Sequence, residues 1–305
     1  MEESGTKPHI PFGFKHFALF SPKPSVCERV YIYFMQSFSV LLSLYHKESA
    51  LFLHQSLESV FAQTLLPTEV ILVEDGPLSE ELHAVVKEFM DRYLELKVIP
   101  LVENQGLGKA LNEGLKHCSY DIVARMDTDD VAKPDRFEKQ LAIFQEHPEV
   151  DVVGAWIDEF EGAVSNVLSV RKVPKDQEDI LRFAKGRCPV NHPVVMFRKS
   201  AVLKAGGYKH FPLFEDYYLW VRMLMDGARF YNIQESLLFF RFSPDMFKRR
   251  GGWRYAVTEV KLQTLFYRIG FIDFFSLIRN ICIRLVTRLL PNDFRSLLYK
   301  RFIRN

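Results

Sequence analysis

Residues 96–130 have the sequence LKVIPLVENQGLGKALNEGLKHCSYDIVARMDTDD, in which an amphipathic segment separates two apolar ones. Their periodicity predicts strands at Leu96–Leu101 and Ile122–Met126 and a helix at Gly106–Cys118. A strand, a crossover helix and a second strand at this spacing are typical of a parallel βαβ unit. Parallel sheets bind ligands beyond the carboxyl ends of their strands, so polar residues that follow each strand are the candidates for a site.

The same alternation extends to both sides of this unit. Earlier strands are predicted at Phe38–Leu44 and Glu69–Val73, with helices at Leu51–Gln63 and after Ser79. Later elements are shorter and less regular: helices at Pro134–His147, Gln177–Phe183 and Asp216–Met225, and strands at Asp151–Trp156, Val164–Val170, Val194–Phe197, Arg229–Ile233 and Leu237–Phe242. The predicted fold is α/β, with a mostly parallel, Rossmann-like central sheet flanked by helices.

Three segments follow from this pattern. Residues 1–36 form an N-terminal extension without clear periodicity, which is either sequence upstream of a start at Met35 or an arm that packs or binds a partner. Residues 37–245 form the α/β domain, without an internal linker or repeat. Residues 246–305 form a basic tail with helical periodicity.

Composition excludes several classes of protein. The chain has 305 residues, is 48% hydrophobic and carries a net charge of +2, so a folded protein is expected and nucleic acid is not expected as a partner. Its four cysteines lie far apart without zinc-binding spacing, which indicates free thiols in a reducing compartment. Neither a signal peptide nor the roughly 18 to 20 apolar residues of a spanning helix is evident, so a cytoplasmic location is expected.

The segment Ala124–Asp130 is the strongest signal of chemistry. Its carboxylates Asp127, Asp129 and Asp130 directly follow an apolar strand. Neighbouring carboxylates repel each other and are costly to bury without a partner, and a hard divalent cation such as Mg²⁺ or Mn²⁺ supplies one. The alternative is a solvated acidic turn that caps the next helix.

Other polar clusters stand at equivalent positions. They comprise Tyr45–Glu48 after the first strand, Glu74–Gly76 after the second and Asn104–Lys109 after the third. Because a parallel sheet brings the carboxyl ends of its strands to one edge, these clusters should converge with the aspartates. Polar clusters at the carboxyl ends of four successive strands favour a binding site over a solvated acidic turn.

The order of motifs over Phe38–Phe242 resembles glycosyltransferase family 2, and in particular the bacterial enzymes that build capsular, exopolysaccharide or lipopolysaccharide repeat units. The motifs are SLYHKE (43–48), VEDG (73–76), ENQGLGKALNEGL (103–115), RMDTDD (125–130), PDRFEKQ (134–140), NHPVVMFRKS (191–200), GGY (206–208) and FEDYYLWVRML (214–224). The resemblance implies a GT-A fold and inverting, metal-dependent transfer from a UDP-sugar to a saccharide acceptor. In such enzymes the acceptor is expected on a lipid-diphosphate carrier.

The resemblance also implies which residues bind the nucleotide sugar. Asp75 matches the acid that hydrogen-bonds uracil, beside Glu74 where aspartate is commoner. Asp127 would face the ribose or nucleotide, Asp129 would hold the metal that bridges the diphosphate, and Asp130 would support the site or contact the sugar. The other residues assigned to the nucleotide sugar are Tyr45, Glu48, Gly106, Lys109, Arg125 and His192. For Lys109 and Arg125 a surface lysine and a core-edge arginine are the alternatives.

We assign a later acidic pair, Glu215 and Asp216, to the acceptor side of the site. An inverting transfer needs a carboxylate that removes the proton of the acceptor hydroxyl, and we assign this role to Asp216, oriented by Glu215. The alternative is that both acids stabilise the first turn of their helix. His192 matches a family position near the acceptor, although a lone histidine is more often structural, and Arg241 could contact the diphosphate.

The tail suggests a membrane surface. On a helix, Asn280, Arg284 and Arg288 form one polar stripe, and the opposite side carries Ile278, Cys282, Leu285 and Leu289. Basic amphipathic helices bind anionic membrane surfaces, so peripheral contact with the inner face of the plasma membrane is expected. The alternative is a helix that packs on the α/β domain with a solvated basic side.

Two other functions remain open from the sequence. A nucleotidyltransferase would share the α/β architecture and metal carboxylates, but residues 43–49 lack the glycines of a triphosphate-binding loop. A non-catalytic module that binds a nucleotide sugar or a glycan is the second alternative, and the intact acidic motifs argue against it.

Overall fold

The computed structural model describes residues 37–242 and 252–289. The predicted N-terminal extension, the basic residues 248–250 and the end of the tail lie outside the described residues. The predicted α/β architecture is confirmed, because a nine-stranded sheet forms the centre of the fold and helices cover it.

The first half of the sheet is built from parallel βα units. Its strands, in the spatial order β3-β2-β1-β4, are β1 (Ser39–Leu44), β2 (Glu69–Glu74), β3 (Leu96–Pro100) and β4 (Ile122–Arg125). The crossover helices are α1 (Ala50–Phe61), α2 (Glu80–Arg92) and α3 (Leu107–His117). Strand β2 is buried at every position, as expected for a strand that is covered by helices on both faces.

The second half of the sheet is mixed. Its strands are β5 (Val131–Ala132), β6 (Val152–Phe160), β7 (Val167–Arg171), β8 (Met196–Arg198) and β9 (Phe230–Arg241). Strand β8 joins the two halves by antiparallel pairing with β4 and β6, whereas β6 and β9 are parallel. The helices are α4 (Arg136–Glu146), α5 (Gln177–Ala184), α6 (Lys199–Lys204) and α7 (Glu215–Met225), with a 3-10 turn at His192–Val194.

One prediction in this half was wrong. The strands predicted at Arg229–Ile233 and Leu237–Phe242 are a single strand, β9, whose register against β6 shifts near Trp156. The intervening Gln234 and Glu235 are exposed, because the irregular pairing turns them to solvent.

Two helices follow the sheet, α8 (Trp253–Arg268) and α9 (Phe274–Leu289), and they pack against α7. The rings of Phe214 and Tyr255 lie 5.2 Å apart, and those of Tyr217 and Phe266 lie 5.0 Å apart. No helix within residues 37–242 and 252–289 is long and apolar enough to cross a membrane.

Asn280 and Arg284 of the predicted polar stripe of α9 face the protein rather than solvent. Asn280 is buried and Arg284 is half-buried against the protein, whereas Ile278 and Cys282 are exposed. The polar stripe therefore does not form a solvated basic side.

Candidate active site

The aspartate turn follows β4 and is held by hydrogen bonds from side-chain hydroxyls to main-chain carbonyls. Ser56 of α1 donates its hydroxyl to the carbonyl oxygen of Asp127 at 3.1 Å. The Thr128 hydroxyl donates to the carbonyl of Ser43 in β1 at 3.4 Å. The turn is thereby fixed beside the carboxyl end of the central strand.

Asp127, Asp129 and Asp130 form a cluster suited to a cation. One carboxylate oxygen from each lies within 4.8 Å of the others. Asp130 is fully buried; its Oδ1 accepts the main-chain N–H of Arg241 at 2.8 Å, and its Oδ2 has no hydrogen-bond partner among the described residues. Burial, followed by the charge of Asp127, raises the pKa of Asp129 to about 6. This all-oxygen, charge-crowded set fits Mg²⁺ or Mn²⁺.

Arg125 is buried and pairs with the first aspartate of the cluster. Its guanidinium donates to both carboxylate oxygens of Asp127, with Nη1 3.0 Å from Oδ2. Its own carbonyl accepts from Nη2 of the fully buried Arg136 at 2.6 Å. Burial lowers the pKa of Arg136 to about 9. Arg125 is therefore a core residue that orients Asp127, which is the core-edge alternative raised by the sequence.

Asp75 organises the third polar cluster. Its two carboxylate oxygens accept the main-chain N–H groups of Gln105 at 2.6 Å and Gly106 at 3.0 Å. Gly106 precedes α3 with φ +87°, a conformation that favours glycine. Glu74 is buried beside Asp75, and burial raises its pKa.

The strand ends converge as predicted. The N–H of Asp75 donates to the carbonyl of Leu44 at 2.7 Å, so Tyr45 and Asp75 leave neighbouring strands at the same edge. Tyr45 and Glu48 are half-buried and share a turn, in which the N–H of Glu48 donates to the Tyr45 carbonyl at 3.1 Å. Lys109 is exposed on the first turn of α3.

The acidic pair of α7 lies against the start of α3. A Cβ built on Gly108 would lie 3.3 Å from Cγ of Glu215, so this glycine permits the close approach of the two helices. Burial is the main cause that raises the pKa of Glu215. Asp216 is half-buried, with the Cys188 thiol 3.8 Å from its Oδ2. The pair therefore stands next to the helix whose start is anchored by Asp75.

His192 is buried beside Tyr208 and Trp220. Its Nε2 lies 2.9 Å from the hydroxyl of Tyr208, and its ring meets Trp220 edge-on at 5.9 Å. Burial, followed by the charge of Arg125, lowers its pKa well below the usual range. The imidazole is therefore neutral and exchanges a hydrogen bond with Tyr208.

Arg241 fixes the far side of the aspartate turn. Its Nε donates to the carbonyl of Asp129 at 2.8 Å, and its Nη2 donates to Gln55 at 2.7 Å. The guanidinium also lies 3.8 Å from the ring centroid of Phe52. These contacts make it a support of the aspartate turn.

Sequence reasoning missed two residues that hold the Gly-Gly-Tyr loop. The Asn112 side chain in α3 donates to the Tyr208 carbonyl at 2.7 Å and accepts the Tyr208 N–H at 2.8 Å. Arg222 in α7 donates to the carbonyls of Ala205 and Gly207, the latter at 2.6 Å. Both resemble ordinary polar residues of amphipathic helices, and only the motif contexts ENQGLGKALNEGL and FEDYYLWVRML marked their neighbourhoods.

Solved structures define the class of protein. The mannosyltransferase PcManGT from Pyrobaculum calidifontis, solved with GDP-Man and Mn²⁺, matches with a TM-score of 0.59 and 16% identity over 88% of this chain and 77% of that chain. A crystal structure of S. aureus TarS with UDP-GlcNAc matches with a TM-score of 0.55 and 18% identity over 88% of this chain and 73% of that chain. The chain has the GT-A glycosyltransferase fold.

Sequence comparison then defines the family. The family described as "Glycosyl transferase family 2" matches residues 39–206. An Escherichia coli UDP-Gal:alpha-D-GlcNAc-diphosphoundecaprenol beta-1,3-galactosyltransferase is 42% identical over 88% of this chain and 96% of its own length. The amylovoran biosynthesis glycosyltransferase AmsE of Erwinia amylovora is 42% identical over 87% of this chain and 98% of its own length. The chain belongs to glycosyltransferase family 2 and is a glycosyltransferase, which sets aside the nucleotidyltransferase and binding-module alternatives.

Proposed function

We propose that the protein is an inverting, metal-dependent glycosyltransferase that moves a sugar from a UDP-sugar to a lipid-linked saccharide. It would act in cell-surface polysaccharide synthesis at the inner face of the plasma membrane. The observation that carries this proposal is the convergence of two acidic groups on α3: Asp75 anchors the start of the helix, and Glu215 packs on its Gly108. The proposed donor-side and acceptor-side carboxylates thus meet at the start of α3.

On the donor side, Asp129 and Asp127 are proposed to hold Mn²⁺ or Mg²⁺, with Asp130 behind them. A bound cation offsets the negative charge that develops on the leaving diphosphate. The buried Arg125 and Arg241 orient this turn and limit repulsion within the triad before the donor binds. The hydrogen bonds of Asp75 keep the 104–106 loop in place, and each of its oxygens retains a lone pair for the uracil ring. Tyr45, Glu48, Gly106 and Lys109 are proposed to line the nucleotide.

On the acceptor side, Asp216 is proposed to accept the proton of the acceptor hydroxyl. That oxygen forms the new bond to the anomeric carbon as the bond to the UDP oxygen breaks, so configuration inverts and UDP departs. Asp216 ends the step protonated and returns its proton to solvent. Glu215 is proposed to orient Asp216 or the acceptor, from a half-buried position against Gly108 of α3.

The identity of the sugars is proposed from a relative. The E. coli relative is named as a UDP-galactose-dependent enzyme that acts on GlcNAc-diphosphoundecaprenol. UDP-galactose is therefore proposed as the donor, and a diphospholipid-linked N-acetylglucosamine as the acceptor.

The test is a turnover assay on purified protein with UDP-galactose and a synthetic GlcNAc-diphospholipid, in Mn²⁺ and then in EDTA. Metal-dependent product with inverted anomeric configuration, identified by NMR, is expected. Asp216→Asn should lower kcat by about 10² to 10⁴ because the general base is lost. Asp226→Asn, at the exposed other end of the same helix, should leave kcat unchanged.

The outcomes separate the parts of the proposal. Retained turnover in Asp216→Asn would rule out this residue as the base. Full turnover in EDTA would rule out the metal role of the aspartates. Turnover with another UDP-sugar would replace only the donor assignment.

A further inference from the structure

Helix α9 turns its polar residues towards the protein. Asn280 donates to the carbonyl of Lys185 at 2.7 Å and to Oε1 of Gln263 at 2.8 Å. Arg284 forms an ion pair with the buried Glu259 at 3.0 Å and donates to the carbonyl of Gly186. These polar contacts attach the helix to α8 and to the loop after α5, which leaves Phe274, Phe275, Ile278 and Ile283 on the other side.

The outward side of α9 is an exposed apolar face. It begins with Phe274 and Phe275, which are 55% and 83% exposed, and continues through Ile278, Cys282 and Ile283. At 100° per residue these positions fall within one half of the helix. Tyr267 at the end of α8 extends the face, since its ring lies 6.2 Å from that of Phe274. Contiguous exposed apolar residues of this kind mark an interaction surface.

The two helices α8 and α9 also carry exposed positive charge. Exposed basic residues of α8 and α9 are Arg254, Lys261, Arg268 and Arg279. Of the acidic residues within 252–289, Glu259 is buried in its ion pair and only Asp273 is exposed. The two helices therefore present large apolar side chains together with an excess of exposed cations.

We infer that the outward face of α9 docks on an anionic lipid bilayer surface. Aromatic and aliphatic residues enter the interfacial region of a bilayer, and nearby arginine and lysine residues are attracted to anionic headgroups. A second copy of the chain is a poorer occupant, because self-association would bring the same cations together. The proposed membrane face is the apolar side of the helix, opposite Asn280 and Arg284.

Docking in this way has a consequence for the acidic pair. Helices α8 and α9 pack on α7 through Phe214 and Tyr217, and α7 begins with Glu215 and Asp216. Because α8 and α9 pack on α7, binding of these two helices to a bilayer would also tether α7 to the surface that carries a lipid-linked acceptor. This step rests on the proposed function, whereas the docking itself does not.

Vesicle flotation tests the docking without any turnover. The full chain is mixed with phosphatidylcholine vesicles that contain or lack phosphatidylglycerol, and co-flotation is measured at increasing salt. Wild type should float with the anionic vesicles, and Phe275→Ser with Ile278→Ser should weaken partitioning at least tenfold. Leu94→Ser, at a residue 95% exposed in the turn between α2 and β3, is the matched control and should float as wild type.

Charge variants complete the test. Arg268→Glu with Arg279→Glu should lose flotation on anionic vesicles, whereas Lys87→Glu on the exposed side of α2 should not. Equal flotation of wild type and the α9 variants would overturn the inference, whichever other segment binds lipid. So would a concentration-dependent dimer, seen by sedimentation, that Phe275→Ser abolishes while wild type fails to float.

An activity assay separates this inference from the proposed function. With a short-chain, water-soluble acceptor, Phe275→Ser should retain wild-type turnover. With the acceptor embedded in vesicles, its turnover should fall in parallel with flotation. Loss of turnover on both acceptors in wild type would defeat the proposed function and leave the flotation result intact.

Discussion

The proposed donor and acceptor sides of the site are held in different ways. On the donor side, parallel strands β1, β2 and β4 bring the polar residues to one edge through main-chain pairing. On the acceptor side, the loop before α7 is held by side chains, with Asn112 binding the main chain of Tyr208 and Arg222 binding that of Gly207. Removal of one of these side chains should therefore displace the loop on the acceptor side. On the donor side, a single substitution should matter only where it removes a group that is proposed to bind the metal or the nucleotide.

The largest expected effect removes a ligand without disturbing the fold. Asp129→Ala should weaken Mn²⁺-dependent UDP binding by at least about 100-fold, because a proposed metal ligand is lost. Thermal stability of the metal-free protein should be unchanged or higher, since burial and a like charge oppose the ionised form of Asp129. Calorimetric titration of UDP with Mn²⁺ or EDTA measures the first, and thermal unfolding measures the second.

Asp91→Ala, at an exposed position of α2, is the control and should bind UDP as wild type. Metal-dependent binding that survives in Asp129→Ala would make the triad a structural turn. A clear loss of thermal stability in the metal-free variant would contradict the view that the ionised carboxylate of Asp129 destabilises the fold.

The next effect should be confined to the acceptor side. Asn112→Ala leaves the N–H and carbonyl of Tyr208 without their partner and frees the loop to move. Turnover should fall by about 10- to 100-fold through misplacement of acceptor groups. The UDP dissociation constant should stay within about twofold of wild type, because no nucleotide-side contact is removed.

Steady-state kinetics with varied acceptor, together with UDP titration, tests this split. Asn166→Ala in the exposed β6–β7 hairpin removes a comparable side chain–main chain hydrogen bond and serves as the control. If UDP binding weakened in proportion to turnover, the two sides would not be held separately.

The smallest effect is expected on the free energy of unfolding, when alanine replaces either of two glycines with positive φ. Gly207 has φ +63° and Gly227 has φ +86°, so alanine at either position costs about 1 to 2 kcal/mol of backbone strain. A Cβ at Gly207 would also lie 2.7 Å from Oδ1 of Asn112, whereas a Cβ at Gly227 would meet no atom within 4 Å. Urea unfolding should therefore show a larger loss of unfolding free energy for Gly207→Ala. Equal losses would show that Asn112 does not confine the loop.

The donor side was predictable because its signals are local. Apolar runs such as Glu69–Val73 identify buried strands, and the parallel arrangement brings the residues after them to one edge without further information. The strand β5, with only two residues, has too little sequence for a periodic signal. The bulged strand β9 appeared as two strands because the exposed Gln234 and Glu235 interrupt its apolar pattern.

The acceptor side and the tail depend on tertiary partners. Asn112 and Arg222 look like solvent-facing helix residues until the loop that they bind is in place. The polar stripe of α9 was correctly located, but periodicity does not say which side of a helix meets the protein. Asn280 and Arg284 face inward because Glu259, Gln263 and loop carbonyls provide partners for them.

The outward position of Cys282 makes this protein suitable for site-specific labelling. Cys118 is buried with a pKa raised to about 12 by burial, and burial also raises the pKa of Cys188, so neither thiol readily forms the reactive thiolate. Cys282 is exposed on the apolar face of α9. With Cys27 replaced by serine, an environment-sensitive fluorophore attached by maleimide chemistry would therefore occupy the proposed bilayer contact and report its polarity in real time.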